Sequence, residues 1–458
     1  MKFVLKSFGC QMNKLDSALV TSAMKQAGFE VSDSPVESDV VIINTCSVRQ
    51  HAEERVLSHL GHLKHIRKSR PGLVVAVMGC MAQRMGEELL ANEAVDIVCG
   101  PGQIDKLPEL IQQRLEKKAK HLAVAEKIRA KVEESEAQGL EEFEVANDLT
   151  EDQLPGQAYV RAMRGCNKFC TYCVVPYVRG PEASRPPESI ISQIKHLRDQ
   201  GIKLVTLLGQ TIDSYSYTEN GKKWGLAELL EGASAVEGIE WVRFITSYPT
   251  DLDDSILAAM AGNPKVCKYL HLPAQSGSDK ILKAMNRTYT SGQYLELLTK
   301  AREMVPGIAI AGDFIVGFCG ESDEDFEATV SLVQKARYKS CYIFKYSPRP
   351  GTTAEKRLED DVPEDVKKAR NTRLLEVQSL ISEEDNGKLV GRQMRGLVEG
   401  PSKKAHLDKS SQDVDHKQLI SRTGEDYIVV FNGPAQLAGQ FAQVKITKAS
   451  ALTLFGEL

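Results

Sequence analysis

The sequence predicts a three-part α/β protein: an N-terminal open parallel α/β domain, a central partial (β/α)6 barrel and a small C-terminal all-β barrel. Three observations predict it. Apolar runs of strand length alternate with helical patterns over residues 1–116. Six further runs alternate with helices over residues 155–383. From 384 to 450 the pattern becomes short strands separated by turn residues.

In the first section the strand-like runs are KFVLKS, DVVIIN, LVVAVM and VDIV, with helical segments at 13–26, 48–69 and 83–91. Val56, Leu60 and Leu63 fall at i, i+4 and i+7, the spacing of a buried helix face. Residues 117–154 are charge-rich and read as a partly helical linker. The central section opens at AYVRAM and continues through KLVTLL, WVRFIT, KYLHL, IAIAGDFIV and SCYIFKY. Helical patterns lie between them near 188–200, 225–235, 252–262, 278–303 and 322–336, and a charged helix follows at 366–386. QMRGLVEG, DYIVVFNG and QFAQVKITKA then form the terminal section, a small barrel of a kind that often binds oligonucleotides.

Apolar residues at 42% and charged residues at 26% fit a soluble globular protein. The net charge of −4 predicts no nucleic-acid partner by itself, so any basic surface must be local. The opening MKFVLKSFGC holds too short an apolar run for a secretory signal, and LVVAVMGCMA covers about half of a ~20-residue membrane span. A cytoplasmic protein without a membrane segment is expected. Ten cysteines in 458 residues then read as thiols kept reduced, and clustered ones as ligands or catalytic groups.

Cys166, Cys170 and Cys173 form C-x3-C-x2-C just after the first barrel strand. Thiolates are the usual ligands of iron–sulfur clusters, and barrel chemistry sits at the C-terminal ends of strands. Three ligands on a four-iron cluster leave one iron open to a cofactor, such as the amino and carboxylate groups of S-adenosylmethionine (SAM). Structural zinc would need a fourth ligand nearby, and no second cysteine pair or His-x-His follows.

Cys10, Cys46 and Cys80 are far apart in sequence, yet each follows a predicted strand of the first section. Ligands of an open parallel sheet bind beyond the carboxyl ends of its strands, so the three can converge. Gly9 and Gly79 precede two of them, which suits close backbone approach. The alternative is three buried thiols packing as small hydrophobes. Cys99 also follows a strand and is open to either reading; Cys267, Cys319 and Cys341 stand singly and read as packing residues. HLGHLKHIRKSR gathers His59, His62, Lys64, His65, Arg67, Lys68 and Arg70. It reads as a solvated helix face, with phosphate binding as the rival.

Taken together these segments resemble the methylthiotransferase family of radical SAM enzymes over almost the whole chain. SFGCQMNKLDS, NTCSVRQHAEERV and GCMAQR resemble its first domain. RGCNKFCTYCVVPYVRGPEASRP, LLGQ, HLPAQSGSDKIL, MNRTYT and GDFIVGF resemble the radical SAM core, and the end of the chain resembles the RNA-associated TRAM domain. CQMN, NTCSVR before AEERV, and DIVCGP before LPELI resemble the MiaB type, which modifies transfer RNA. Rival readings are methylthiolation of a ribosomal-protein aspartate or of threonylcarbamoyladenosine, an iron–sulfur carrier without SAM chemistry, and an RNA-binding protein with structural metals. The chain departs from the family pattern at Thr211, Asp213, Tyr248 and Cys319, and at Glu425 and Asp426 in the terminal domain.

The resemblance implies two [4Fe-4S] clusters, one on Cys166, Cys170 and Cys173 and an auxiliary one on Cys10, Cys46 and Cys80, with Cys99 outside the pattern. It implies that SAM at the first cluster yields a 5′-deoxyadenosyl radical, which takes the hydrogen from carbon 2 of isopentenyladenosine beside the anticodon. The auxiliary cluster supplies sulfur methylated by a second SAM. SAM contacts are expected from Gly209, Gln210, Gln275, Ser276, Asp313, Gly317 and Glu321 at strand ends, a solvated or packing role being the alternative for each polar one. Arg179 and Arg185, flanking the cysteine loop, are candidates for RNA or cofactor contact. Expected partners are a tRNA anticodon stem-loop and a low-potential electron donor such as a flavodoxin or ferredoxin, with the protein a monomer.

Overall fold

The computed structural model describes residues 1–47, 50–117, 119–126, 128, 134–146, 154–402 and 416–458. The N-terminal sheet is parallel throughout, in the order β2-β1-β3-β4-β5-β6. Its strands are β1 (Lys2–Ser7), β2 (Glu30–Val31), β3 (Val40–Thr45), β4 (Val74–Gly79), β5 (Ile97–Cys99) and β6 (His121–Ala123). Both faces are covered, which is why β3 and β4 read as continuous apolar runs. Val40, Ile42, Val74 and Ala76 pack toward α1 (Gln11–Gln26), while Val41, Ile43, Val75 and Val77 pack toward α2 (Gln50–Ser69). Val56, Leu60 and Leu63 of α2 are buried, as their spacing predicts. The helical pattern at 83–91 is two short helices, α3 (Cys80–Met85) and α4 (Glu87–Leu90), broken at Gly86. α5 (Leu107–Lys117) packs Leu107 and Ile111 into the core on the α1 side of the sheet.

The segment 117–154 is less independent than its charge suggests. Its β6 pairs with β5 and extends the sheet, and its helix α6 (Glu134–Ala146) buries Leu140 in the N-terminal core.

The central domain begins with β7 (Gln157–Arg161), followed by the small antiparallel pair β8 (Met163–Arg164) and β9 (Ala183–Ser184) around α7 (Val175–Val178). Then come α8 (Pro187–Asp199), β10 (Leu204–Leu208), β11 (Tyr217–Glu219), β12 (Lys222–Trp224), α9 (Leu226–Ser234), β13 (Trp241–Ile245) and α10 (Asp254–Gly262). The chain continues with β14 (Tyr269–His271), α11 (Asp279–Ala284), α12 (Ser291–Met304), β15 (Ala309–Val316), α13 (Asp323–Ala336) and β16 (Ser340–Lys345). Parallel pairing gives β7-β10-β13 and β14-β15-β16, and a Val242–Val266 bridge joins the halves. Among the described residues no pairing closes β16 onto β7, so this is the predicted partial six-stranded barrel. The hairpin β11–β12 was not anticipated, although its Asn220-Gly221 turn, with φ of +50° and +77°, is a strong hairpin signal. Side chains between strands and helices are apolar, including Val205, Leu207 and Phe244. Alternate residues, among them Arg161, Arg243, His271 and Asp313, carry charge and hydrogen-bonding groups on the other face.

After α14 (Thr353–Arg357) and the long α15 (Glu364–Gly387) the chain closes a five-stranded barrel. Its strands are β17 (Gln393–Pro401), β18 (His416–Thr423), β19 (Ile428–Pro434), β20 (Phe441–Ala449) and β21 (Leu454–Glu457). β21 lies beyond the expected boundary at 450 and closes the ring by pairing with both β19 and β20. This barrel seats on the N-terminal ends of the central strands. Leu397 packs on Leu204 and Cys267, and the Phe441 ring meets Trp241 edge-on at 4.7 Å.

Candidate functional site

The three cysteines of the N-terminal domain follow β1, β3 and β4, at the carboxyl edge of the sheet. A buried amide pair fixes this edge. Asn13 Nδ2 donates to Asn44 Oδ1 at 2.9 Å and to the Thr45 carbonyl at 2.8 Å, and Asn44 Nδ2 donates back to the Asn13 carbonyl at 2.8 Å. Thr45 Oγ1 donates to the Met78 carbonyl at 2.7 Å, tying the turn before Cys46 to the strand before Cys80. Gly79, at φ +98°, has no room for a side chain, since a Cβ would stand 2.5 Å from the Thr45 carbonyl oxygen. A Cβ on Gly9 would stand 2.5 Å from Asn13 Oδ1. The glycines therefore serve the close approach read from the sequence.

The result brings Cys10, Cys46 and Cys80 together. Cys10 shares a hydrogen bond with Cys46, which together with the positive charge of Arg179 overcomes burial and lowers its thiol to about 6. Cys80 feels both Cys10 and Arg179, and burial raises it. Cys99 is not part of the set: it is fully buried, and its thiol donates to the Gln103 carbonyl at 3.1 Å.

The second set lies on the loop after β8. Cys166 and Cys170 are buried, Cys173 is partly so, and the three act on one another electrostatically. Burial pushes Cys166 up to about 11. Arg287 Nη1 approaches Cys170 Sγ at 3.5 Å, and its guanidinium stacks 4.2 Å from the centre of the Tyr248 ring. Two departures from the family pattern meet beside it, for Asp213 accepts the Tyr248 backbone N–H at 2.6 Å.

A cavity of about 780 Å³ is lined by Cys173 of the second set and by Gly9, the residue before Cys10 of the first. Gln275 and Asp313 line it at the barrel strand ends. Ile315, Ile343 and Phe344 make part of the wall apolar. Asp313 Oδ1 lies 3.0 Å from His271 Nε2, an arrangement that raises the imidazole against the effect of burial.

The donor chemistry fits iron–sulfur clusters. All six cysteines are free thiols in two groups of three. Among the described residues no three His, Cys, Asp or Glu side chains converge on a single metal ion. A four-iron cluster offers three separate irons to three thiolates. Just after β10, Gln210 Oε1 is a buried acceptor without a hydrogen-bond partner among the described residues.

The other expected contacts sort as follows. Gln275 and Asp313 line the cavity, whereas Gly209, Gln210, Ser276, Gly317 and Glu321 do not. Ser276 Oγ lies 3.3 Å from Thr329 Oγ1, and Glu321 accepts from the Gly317 N–H and from Arg370, both at 2.8 Å. Gly209 and Gly317 pack tightly, a Cβ there meeting Met163 and Lys367 respectively. Both arginines named as RNA candidates are interior. Arg185 is held by Glu141, Gln193 and the Arg161 carbonyl, and Arg179 by Asp16 and Cys80. Burial and paired charge remove them from a surface open to phosphate. In the basic run at the end of α2, Arg67 pairs with Asp96 and Lys64 with Glu93, and Arg70 just past the helix pairs with Asp39, so the run is tied to its own domain. Asn13, Asn44, Asp16 and Arg287 escaped the sequence reading as site residues, although CQMN and NTC contain the first two.

Residues 2–100 match the uncharacterized protein family UPF0004, residues 160–333 the radical SAM superfamily and residues 387–458 the TRAM domain. The chain is 44% identical over 455 residues to a protein of Rhodopirellula baltica named tRNA-2-methylthio-N(6)-dimethylallyladenosine synthase, covering 99% of this chain and 95% of that one. A protein of the same name from Porphyromonas gingivalis is 40% identical over 463 residues, covering 100% and 95%. In fold, the chain is similar to the radical S-adenosylmethionine methyltransferase TsrM of Kitasatospora setae, with a TM-score of 0.53, 15% identity and 77% of each chain covered. No described helix is long and apolar enough to cross a membrane.

Proposed function

The chain belongs to the family of tRNA-2-methylthio-N(6)-dimethylallyladenosine synthases, and we infer that its two thiol sets hold the two clusters of a radical SAM methylthiotransferase acting on tRNA. The observation that carries this is the single cavity onto which Cys173 of one set and Gly9, beside Cys10 of the other, both open. A reaction that removes hydrogen at one cluster and delivers sulfur from another needs both to reach one substrate atom.

Cys166, Cys170 and Cys173 would hold the cluster that binds SAM, and Cys10, Cys46 and Cys80 the auxiliary one. When bound, these groups supply radical hydrogen abstraction and a methylated sulfur, chemistry that side chains cannot perform. The chain's own residues bind and orient. Gln275 and Asp313 offer polar contacts to SAM at the strand ends. Ile315, Ile343 and Phe344 form an apolar wall suited to an isopentenyl tail, with the adenine splayed from its loop. Residues 1–116, 155–383 and 384 onward act as auxiliary-cluster, radical and RNA-associated units. A cytoplasmic monomer supplied by a flavodoxin or ferredoxin completes the reading.

The test is anaerobic reconstitution with iron and sulfide, then incubation with SAM, reductant and tRNA carrying isopentenyladenosine, and mass spectrometry of the digested RNA. A methylthio mass gain on that nucleoside, lost in Cys10→Ala and in Cys170→Ala, is the expected result. SAM cleavage without the gain would move the substrate elsewhere, and no cleavage by iron-replete protein would sink the enzymatic reading.

A further inference from the structure

Arg179 belongs to the central domain, directly after α7, yet its side chain ends in the N-terminal domain. Its Nε donates to Cys80 Sγ at 3.3 Å, and its Nη2 donates to Asp16 Oδ2 at 3.0 Å. The side chains of Arg179 and Asp16 are 6% and 0% exposed, so water does not dilute these contacts. The other oxygen of Asp16 is taken by Arg161 of β7, a second guanidinium from the central domain. Val174, just before α7, and Val178 of α7 pack on Cys80 and hold the approach from the apolar side.

The other thiol set also has one arginine N–H on one sulfur, Arg287 on Cys170. Arg287 meets Tyr248, Tyr289, the Pro273 carbonyl and that sulfur, and among the described residues no carboxylate pairs with it as Asp16 does with Arg179. Hydrogen bonds to ligand sulfurs and local charge are two of the levers that set a cluster's reduction potential. A cation against a ligand sulfur stabilises the more negative, reduced cluster, and does so strongly where the surroundings are of low dielectric.

We propose that Arg179 is a positioning residue for the auxiliary cluster: delivered by the central domain, it donates to the Cys80 sulfur and raises that cluster's reduction potential, with Asp16 fixing the guanidinium and offsetting its charge. This rests on the assignment of Cys10, Cys46 and Cys80 as ligands. It makes the electronic state of the auxiliary cluster depend on the docking of the two domains. A cluster in an undocked N-terminal domain would be harder to reduce.

The experiment uses the full chain with Cys166, Cys170 and Cys173 all changed to alanine, reconstituted anaerobically so that only the auxiliary cluster is present. Its midpoint potential is measured by redox titration followed by electron paramagnetic resonance. Arg179→Met is expected to lower the potential at unchanged iron content, and Arg179→Lys, which keeps the charge but not the forked donor, to lower it less. Asp16→Asn removes a compensating negative charge and is expected to raise it. A purely structural role predicts no such opposition of sign. An unchanged potential in iron-replete Arg179→Met overturns the proposal. Should that variant fail to load, the lysine and asparagine variants decide, and shifts in the same direction overturn it. Absence of iron in the triple-alanine protein before Arg179 is touched overturns the ligand assignment, and the inference with it.

Discussion

Asp426, in the turn between β18 and β19, reaches out of the terminal barrel to lie 3.1 Å from Arg243 in the middle of β13. Lys339 also reaches the Asp426 carboxylate, at 3.3 Å, as does Arg422, at 3.1 Å. Arg243 in addition donates to the Thr423 carbonyl at 2.9 Å. One carboxylate thus neutralises cations from two domains and fixes the terminal barrel on the bottom of the central one.

Removing the carboxylate leaves Arg243 and Lys339 buried and uncompensated. Asp426→Ala is expected to cost about 3 kcal/mol, the order found when one member of a buried pair is deleted. Urea denaturation followed by fluorescence checks it, the terminal barrel releasing at lower urea than in the parent. The pH dependence has a definite sign. Burial acts to raise Asp426, but Arg243, Lys339 and Arg422 hold it below the usual carboxylate range. Its contribution is therefore complete above the unfolded value of about 4 and is lost as the pH falls toward the lower folded value. The parent should lose stability over that acid window and Asp426→Ala should not lose that share.

The amide pair Asn13–Asn44 makes a second prediction. Asn44→Ala deletes three hydrogen bonds in a fully buried site, to Asn13 twice and to Ser17. The expected cost is about 2–3 kcal/mol, with the Asn13 amide left short of a partner. Because the pair sets the spacing between Cys10 and Cys46, iron bound by the auxiliary set should fall while iron bound by the second set persists. Iron analysis of Asn44→Ala in the Cys166, Cys170, Cys173 triple-alanine background and in a Cys10, Cys46, Cys80 triple-alanine background separates the two. Asn13→Ala and Asn44→Ala combined should cost less than their sum, since they remove one shared interaction.

Much of this was legible in the sequence because it is written in local periodicity. The strand runs of the N-terminal sheet and all six barrel strands have the apolar pattern that burial demands, and the C-x3-C-x2-C loop announces itself by spacing alone. What stayed hidden depends on distant partners. Nothing near Arg179 or Arg185 says that Asp16 and Glu141 will meet them, so their charge reads as surface charge until the fold buries it. The short β6 and β21 have too few residues for a periodic signal and exist because neighbouring edges accept them. Cys10, Cys46 and Cys80 were separable from core thiols only by the family resemblance, since three cysteines at strand ends satisfy either reading.

Glu144 makes a third prediction. It is buried on α6 amid Arg161, Arg164 and Arg185, whose charge outweighs burial and holds it down at about 2. Glu144→Gln leaves three interior guanidiniums short of negative charge and should cost about 3–5 kcal/mol. Hydrogen exchange checks where the loss falls, with α6 and the end of β7 expected to lose protection before the core of the N-terminal sheet.

The apolar wall of the cavity gives the last. If Ile315, Ile343 and Phe344 receive the isopentenyl tail, bulk added at Ile343 should exclude the tail without touching either thiol set. Ile343 belongs to β16, whose neighbour β15 is continuously paired to it, so the backbone has little freedom to yield. Ile343→Trp is expected to weaken binding of the isopentenylated anticodon stem-loop by about 2 kcal/mol, roughly 30-fold in KM, the loss of a few buried methylenes. Iron content and reductive cleavage of SAM without RNA should stay at the parent level. Equal loss of tRNA binding for isopentenylated and unmodified stem-loops would place the tail elsewhere, because only contact with the tail itself distinguishes the two RNAs.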